Sequence, residues 1–328
     1  MQKRKRRRRR ILNKLRAGVI GTGHMGHYHV NVYAEQLTNV ELVGIADSDQ
    51  KKVSELAEKY GIAGHTDYRE LLKNIDVVSI AVPTAAHYQV ARDCLEAGVH
   101  ILLEKPFTTT LDQAKELLDI AGRKNLILQV GHVERFNGAV QELKKIVKDP
   151  YLIESRRIGP FISRVKNDNV IMDLMIHDID IILNIIGDMP SSFSAYGKAI
   201  CSGKTDVACV QLQFDNGCIA SAISSRVSEN KMRTLAITQK DAYIFLDYTD
   251  QDIHIHRRAE SGYLVSRQEI RYKQESFIER IFVYKDNPLK LQIKHLIDCI
   301  TDREKRLVSE DDELRSLELA LKIIDALK

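Results

Sequence analysis

No apolar run of about 18 residues occurs anywhere in the 328-residue chain, so a membrane-spanning helix is not expected. Cysteine is scarce. Cys94, Cys201, Cys209, Cys218 and Cys299 lie far apart, and no C-x-x-C pair is present. That spacing argues against a disulfide scaffold or a structural zinc site, and the five read as small buried hydrophobes in a reducing compartment. No repeat of solenoid spacing is visible. Acidic residues are missing from the first ten positions, MQKRKRRRRR, which hold eight basic side chains. Setting these aside turns the formal charge of +4 into −4 for the remaining residues, so the basic balance belongs to the tail. A protein-wide nucleic-acid surface is not expected. The tail, residues 1–13, reads as a solvated extension, with nucleic acid or an anionic membrane as the partners its charge would suit. No apolar segment of secretory length follows it, and a cytoplasmic protein is expected.

With 44% hydrophobic and 29% charged residues, the chain has the composition of a folded protein with a sizeable core. Its pattern divides in two. Over 14–137, short β-branched runs at 16–20, 40–47, 75–82, 100–105 and 126–132 alternate with helical periods at 50–60, 85–96 and 111–123. Runs apolar on both faces imply a parallel sheet covered by helices on each side, a doubly wound Rossmann arrangement. After Pro150 an apolar helix is expected over 172–186. Successive strands without helices follow at 193–198, 207–214, 218–226, 233–239 and 242–247, with a hairpin turn at Asp215-Asn216-Gly217. Two closing helices are expected over 289–299 and 313–327. The second half, 138–328, is therefore read as an α+β domain on an antiparallel sheet, with the last helix able to pack back on the first domain.

Gly21-x-Gly23-x-x-Gly26 follows the first strand and opens a helix over 26–36, and Asp47 closes the second strand. This is the setting in which a glycine loop cradles the pyrophosphate of a dinucleotide. Gly21 suits the tight turn, Gly23 the approach of the ligand, and Gly26 the close packing of helix on strand. Asp47 suits the adenosine ribose hydroxyls and would repel a 2′-phosphate. No basic residue stands at Ser48 or Asp49, so NAD is favoured; Lys51 and Lys52 keep NADP open. His24 and Met25 lie within the loop. Val82-Pro83-Thr84 and His87 follow a strand whose C-terminus should line the ligand crevice.

Glu104-Lys105-Pro106 ends another parallel strand, where Glu104, with Lys105, is read as a cofactor contact and the lysine can hydrogen-bond a substrate hydroxyl and stabilise a developing alkoxide. In MDLMIHDIDII, α-helical offsets place Asp173, His177 and Asp180 on one face and turn Asp178 away. His177 can take a proton near neutral pH, and Asp173 can fix its tautomer or join a charged network with Lys105. The same stripe would also fit a hydrogen-bonded core. No metal is required by this chemistry. Arg135, Arg156, Arg157, Lys166 and Asn167 are further candidates for contacting an anionic substrate, and Glu134–Arg135 also fits a plain ion pair.

Taken together, these residues resemble the glucose–fructose oxidoreductase, inositol dehydrogenase and rhizopine catabolism protein family over residues 14–328. The glycine loop falls on Gly21, Gly23 and Gly26, the Glu-Lys-Pro motif on Glu104-Lys105-Pro106, and the Asp-x-x-x-His motif on Asp173 and His177. The resemblance implies a catalytic trio of Lys105, Asp173 and His177, and makes 138–328 a substrate-binding and oligomerisation domain, with an open, mostly antiparallel sheet whose exposed face builds homodimers or homotetramers. VGHVERFNGAV resembles members acting on nucleotide-linked amino sugars. It implies oxidation at C3 of UDP-N-acetylglucosamine, with UDP-N-acetylglucosaminuronic acid, inositol or a free sugar as alternative substrates. A non-catalytic dinucleotide sensor is the contrasting class. The sequence departs from the pattern in its basic tail and at Gly138, where many relatives carry proline. That glycine is expected to leave its loop less constrained.

Overall fold

The computed structural model describes residues 14–162, 168–258, 262–265, 270–273 and 276–327. They form two compact units. One runs to Gly131 and takes back Leu289–Glu313; the other comprises His132–Pro288 and the chain from Leu314 onward.

The first unit is built on six strands: β1 (Leu15–Ile20), β2 (Val40–Ala46), β3 (Ala63–His65), β4 (Val77–Ile80), β5 (His100–Leu103) and β6 (Leu128–Val130). Their order in the sheet is β3-β2-β1-β4-β5-β6, and every pairing is parallel. The chain starts at the centre, winds to one edge, then crosses to the other side of β1. Strand order therefore reverses between β1 and β4, and the C-terminal ends of those two strands flank the crevice where doubly wound sheets bind ligands.

Five helices connect the strands: α1 (His24–Asn31, continued by a π turn at Val32–Gln36), α2 (Gln50–Tyr60), α3 (Tyr68–Leu72), α4 (Thr84–Glu96) and α5 (Leu111–Lys124). Their ends follow local chemistry. The Asp49 carboxylate accepts from the N–H groups of Lys51 and Lys52 at the start of α2, and Gly61 closes it in the left-handed region at φ +64°. Thr110 caps α5 through the Gln113 N–H. The edge strand β6 is covered by the returning segment. Gln129 and Gln292 exchange side-chain-to-backbone hydrogen bonds with the facing backbone, and Arg306 donates to the Leu128 carbonyl at 2.9 Å. Pairing the edge in this way removes a template for association.

The second unit holds an eight-stranded sheet. Its strands are β7 (Leu152–Ile158), β8 (Ser192–Lys198), β9 (Val207–Gln213), β10 (Ile219–Ser225), β11 (Met232–Gln239), β12 (Ala242–Asp247) and β13 (Asp252–Arg258). After the separate two-stranded pair β14 (Gly262–Val265) and β15 (Ile270–Lys273), β16 (Ser276–Ile281) completes the large sheet. The order is β16-β13-β12-β11-β7-β10-β9-β8, antiparallel throughout except for β7 beside β10. Gly217, at φ +84°, turns the β9–β10 hairpin.

Alternate residues of each strand enter one core with α6 (Gly138–Ile146) and α7 (Ile176–Ile186). The opposite sheet face leaves Tyr196, Ile219 and Tyr243 exposed. Two further helices complete the chain, α8 (Pro288–Ile300) and α9 (Glu310–Ala326).

Two expectations are corrected here. Gly138 is not a looser joint: it opens α6, its N–H bonds Gln251 Oε1 at 3.2 Å, and a Cβ would lie 2.5 Å from the Tyr284 carbonyl oxygen. Of the cysteines, Cys94, Cys218 and Cys299 are buried, Cys209 is half-buried, and Cys201 is exposed.

Candidate active site

The glycine loop has the shape a dinucleotide requires. Gly21 adopts φ +87°, and a Cβ on it would strike the Ala81 backbone at 2.6 Å. A Cβ on Gly26 would overlap the Gly21 carbonyl, so α1 packs on β1 at a distance only glycine permits. At Gly23 the same position faces open space, with nothing within 4 Å. Gly23 also begins α1, whose N-terminus carries no side-chain cap. This open cradle at a helix N-terminus fits a pyrophosphate. His24 and Met25 lie exposed on the first turn of α1, with the His24 ring edge-on to Tyr28.

Asp47 follows β2 and faces this loop. Oδ2 accepts from Thr22 N–H at 2.6 Å and Thr22 Oγ1 at 3.0 Å, while Oδ1 accepts from Asp49 N–H at 3.0 Å. Burial would raise its pKa. The N–H groups of Asp49 and Thr22 outweigh that and hold the carboxyl below the usual range. The nearby lysines have partners of their own, Lys52 with Asp49 at 3.3 Å and Lys51 with Glu55 at 3.9 Å.

Lys105 is half-buried just beyond β5, before a cis peptide to Pro106. The side chains around it act as supports. Glu104, read as a cofactor contact, turns into the unit and meets His29 Nε2 at 2.9 Å. Despite burial, which works against ionisation, the hydrogen bond and charge of His29, with Lys105 and His87 behind them, hold Glu104 below its ordinary pKa. A Cβ on Gly131 would lie 2.9 Å from the Glu104 Cα, so the carboxylate is packed in place. His87 is likewise corrected. It is 1% exposed, with Nδ1 2.8 Å from the Pro106 carbonyl and Nε2 3.0 Å from that of Val82. It braces the Val82-Pro83-Thr84 turn against the Lys105 turn, and burial depresses its pKa. His29 was not legible as a partner of Glu104; its only signal is its place three residues after Gly26, on the packed side of α1.

In the second unit, Asp173 lies inside a π turn, Ile171–Met175, that leads into α7. The wider i→i+5 pairing shifts Asp173 out of the α-helical register assumed with His177 and Asp180, while those two keep their spacing within α7. Asp173 and His177 are half-buried, whereas Asp180 is 1% exposed. It belongs to the core. Arg135 grips both its oxygens, at 2.7 and 2.5 Å, and Ser316 Oγ donates to Oδ1 at 2.6 Å. Asp178, rotated off that stripe, is also fully buried and takes Arg157 Nε and Nη2 at 2.9 and 3.1 Å. Arg157 Nη1 reaches Glu134 Oε1 at 2.9 Å, and its guanidinium lies over the Tyr248 ring.

Arg135 and Arg157 are therefore structural cations rather than substrate contacts, and Glu134 pairs with Arg157 instead of Arg135. Burial disfavours the Arg157 charge, but Asp178 and Glu134 more than restore it. Arg156 points to the other sheet face and is exposed. Lys166 and Asn167 lie outside the described residues. Among those residues, no group of three or more His, Cys, Asp or Glu side chains could hold a metal ion, and no helix is long and apolar enough to cross a membrane.

The Arg135–Asp180 pair makes an acid-stability prediction. Burial raises the Asp180 pKa, yet the charges of Arg135 and His132 and the hydrogen bonds of Arg135 and Ser316 bring it below its ordinary value. A depressed carboxyl contributes stability above its unfolded pKa, about 3.9, and loses it as pH falls through the folded value. Asp180→Asn should therefore unfold at lower urea than wild type at pH 7, and the gap should shrink below about pH 4. A gap independent of pH would contradict this assignment.

Comparison with known proteins adds to this geometry. Residues 15–132 match the family described as oxidoreductase family, NAD-binding Rossmann fold, and residues 138–244 match the GFO/IDH/MocA C-terminal domain. A UDP-N-acetylglucosamine 3-dehydrogenase from Acidithiobacillus ferrooxidans is 36% identical over 245 residues, covering 74% of this chain and 77% of that protein. Its solved structure superposes with a TM-score of 0.85 at 31% identity, over 96% of this chain and 98% of that one. A scyllo-inositol 2-dehydrogenase (NAD(+)) from Bacillus subtilis is 24% identical over 330 residues, covering 94% of this chain and 93% of that protein. The structure of a myo-inositol 2-dehydrogenase from Lactobacillus plantarum shares the fold, with a TM-score of 0.79 at 19% identity, over 96% of this chain and 97% of that one.

Proposed function

Because the chain belongs to the GFO/IDH/MocA oxidoreductase family, we propose that it oxidises a secondary hydroxyl of a nucleotide-linked sugar, at C3 of the amino sugar in UDP-N-acetylglucosamine. The observation that carries this reading is the likeness to the A. ferrooxidans UDP-N-acetylglucosamine 3-dehydrogenase over nearly the whole of both chains.

A nicotinamide dinucleotide, when bound, supplies the two-electron oxidant. Gly21, Gly23 and Gly26 with the N-terminus of α1 would hold its pyrophosphate, Asp47 its adenosine ribose, and the Val82-Pro83-Thr84 turn would border it. Lys105 donates to the reacting oxygen and stabilises the charge that grows there. His177 accepts the hydroxyl proton at a ring nitrogen, and Asp173 sets the charge and orientation of that imidazole. Asn169 Oδ1 accepts from the Met172 N–H at 2.9 Å, fixing the start of the turn that carries Asp173.

The ionised Asp47 favours NAD. NAD(H) should bind more tightly than NADP(H), and Asp47→Ala should narrow the difference in a fluorescence titration. Tighter binding of NADP(H) by the wild type would reject this choice.

The substrate is tested by following NADH formation with UDP-N-acetylglucosamine, UDP-N-acetylglucosaminuronic acid, free N-acetylglucosamine and myo-inositol in parallel, with the ketone trapped. Turnover is expected with the first. The inositol dehydrogenase relatives support a second reading as a polyol dehydrogenase. Turnover of myo-inositol with neither UDP-linked compound oxidised would favour it.

A further inference from the structure

Arg233, on β11, faces Arg157 directly across the antiparallel pair of β11 and β7. Residues opposite one another in such a pair point to the same sheet face, so two guanidinium groups stand side by side. Like charges in that position repel. Arg157 is compensated, since Asp178 takes two of its nitrogens and Glu134 a third. Arg233 is not. Among the described residues no carboxylate pairs with it and no acceptor receives its protons. It is half-buried, and burial together with the charge of Arg157 depresses its pKa, while Glu134, Asp178 and Asp173 act on it only through space. A guanidinium offers five donors in a fixed fork, matched to phosphate and carboxylate oxygens, and leaving it partly desolvated and unpaired costs stability. Asp173, within electrostatic reach, is the residue proposed above to orient the catalytic imidazole.

We propose that Arg233 is the substrate anchor of this enzyme, taking a phosphate oxygen of the nucleotide diphosphate. The inference rests on the reading of the substrate as nucleotide-linked and adds the residue that selects for the phosphate. The sequence carried a faint sign of it: Arg233 opens the run expected as a strand over 233–239, at an inward position otherwise filled by Leu235 and Ile237.

The test is calorimetric titration of UDP, and separately of uridine, into wild type, Arg233→Met and Arg233→Lys. The dinucleotide site is first filled with NADH so that phosphate cannot report on the glycine loop. Wild type should bind UDP well above uridine. Arg233→Met should weaken UDP about tenfold or more, the scale of one charge-assisted hydrogen bond to a charged group, and leave uridine unchanged. Arg233→Lys should recover part of the loss. The thermal midpoint of Arg233→Met without ligand should equal or exceed that of wild type, because an unpaired cation has been removed. Unchanged UDP affinity in Arg233→Met, or a lower midpoint with unchanged UDP affinity, would overturn the assignment. The two readings fail separately. UDP binding that depends on Arg233 without oxidation of UDP-N-acetylglucosamine keeps the anchor and rejects the substrate. Oxidation of UDP-N-acetylglucosamine with an unaltered KM in Arg233→Met does the reverse.

Discussion

His177→Asn and Lys105→Met are each expected to lower turnover about 100-fold or more, the scale of losing a proton acceptor or a donor to developing charge. Neither change should unfold the protein. Both residues are half-buried at the ends of their elements, His177 in the first turn of α7 and Lys105 just past β5, and neither contributes an apolar side chain to a core. The expected signature is a fall in kcat with dinucleotide affinity and thermal midpoint close to wild type. His177→Asn keeps hydrogen-bonding capacity while removing a basic nitrogen, so it isolates proton transfer. Near-normal turnover by folded variants would remove these residues from the mechanism.

Arg157→Met is expected to act in the opposite sense, on stability before activity. The side chain is 2% exposed and compensates two carboxylates, Asp178 and Glu134, of which Asp178 is wholly buried. Removing the cation strands those charges, and breaking a buried pair from one side costs about 3–5 kcal/mol. Urea unfolding should show that loss at pH 7. A double variant, Arg157→Met with Asp178→Asn, should recover part of it because one stranded charge is gone. If Arg157 were instead a substrate contact, its replacement would raise KM with little change in the unfolding midpoint.

These buried pairs also mark how far the sequence alone could be read. The glycine loop was legible because each of its positions answers a separate steric demand: a positive φ at Gly21, open space at Gly23, contact with a carbonyl at Gly26. The parallel sheet was legible because strands such as Val77–Ile80 are buried at every position. The short β3 and α3 were not, since Ala63–His65 has neither length nor an apolar period.

Asp173 reads from the sequence as sharing one helical face with His177 and Asp180, and a physical reason separates it from them. Helical spacing assumes α geometry, and the π turn at Ile171–Met175 shifts Asp173 against everything after it. Nor could local pattern show which acid meets which arginine. Arg157 and Asp178 lie 21 residues apart on a strand and a helix, and Arg135 and Asp180 lie 45 apart. Arg233 was missed because an arginine at a strand end is ordinary until the register puts it opposite another.

Oxidation at C3 of the amino sugar can be followed by isotope transfer. UDP-N-acetylglucosamine carrying deuterium only at C3 is incubated with the enzyme and oxidised dinucleotide under ketone trapping, and the reduced dinucleotide is weighed by mass spectrometry. One deuterium is expected in each reduced dinucleotide, together with a trapped 3-keto nucleotide sugar without the label. Reduced dinucleotide at natural mass, with the deuterium retained in the sugar, would contradict it.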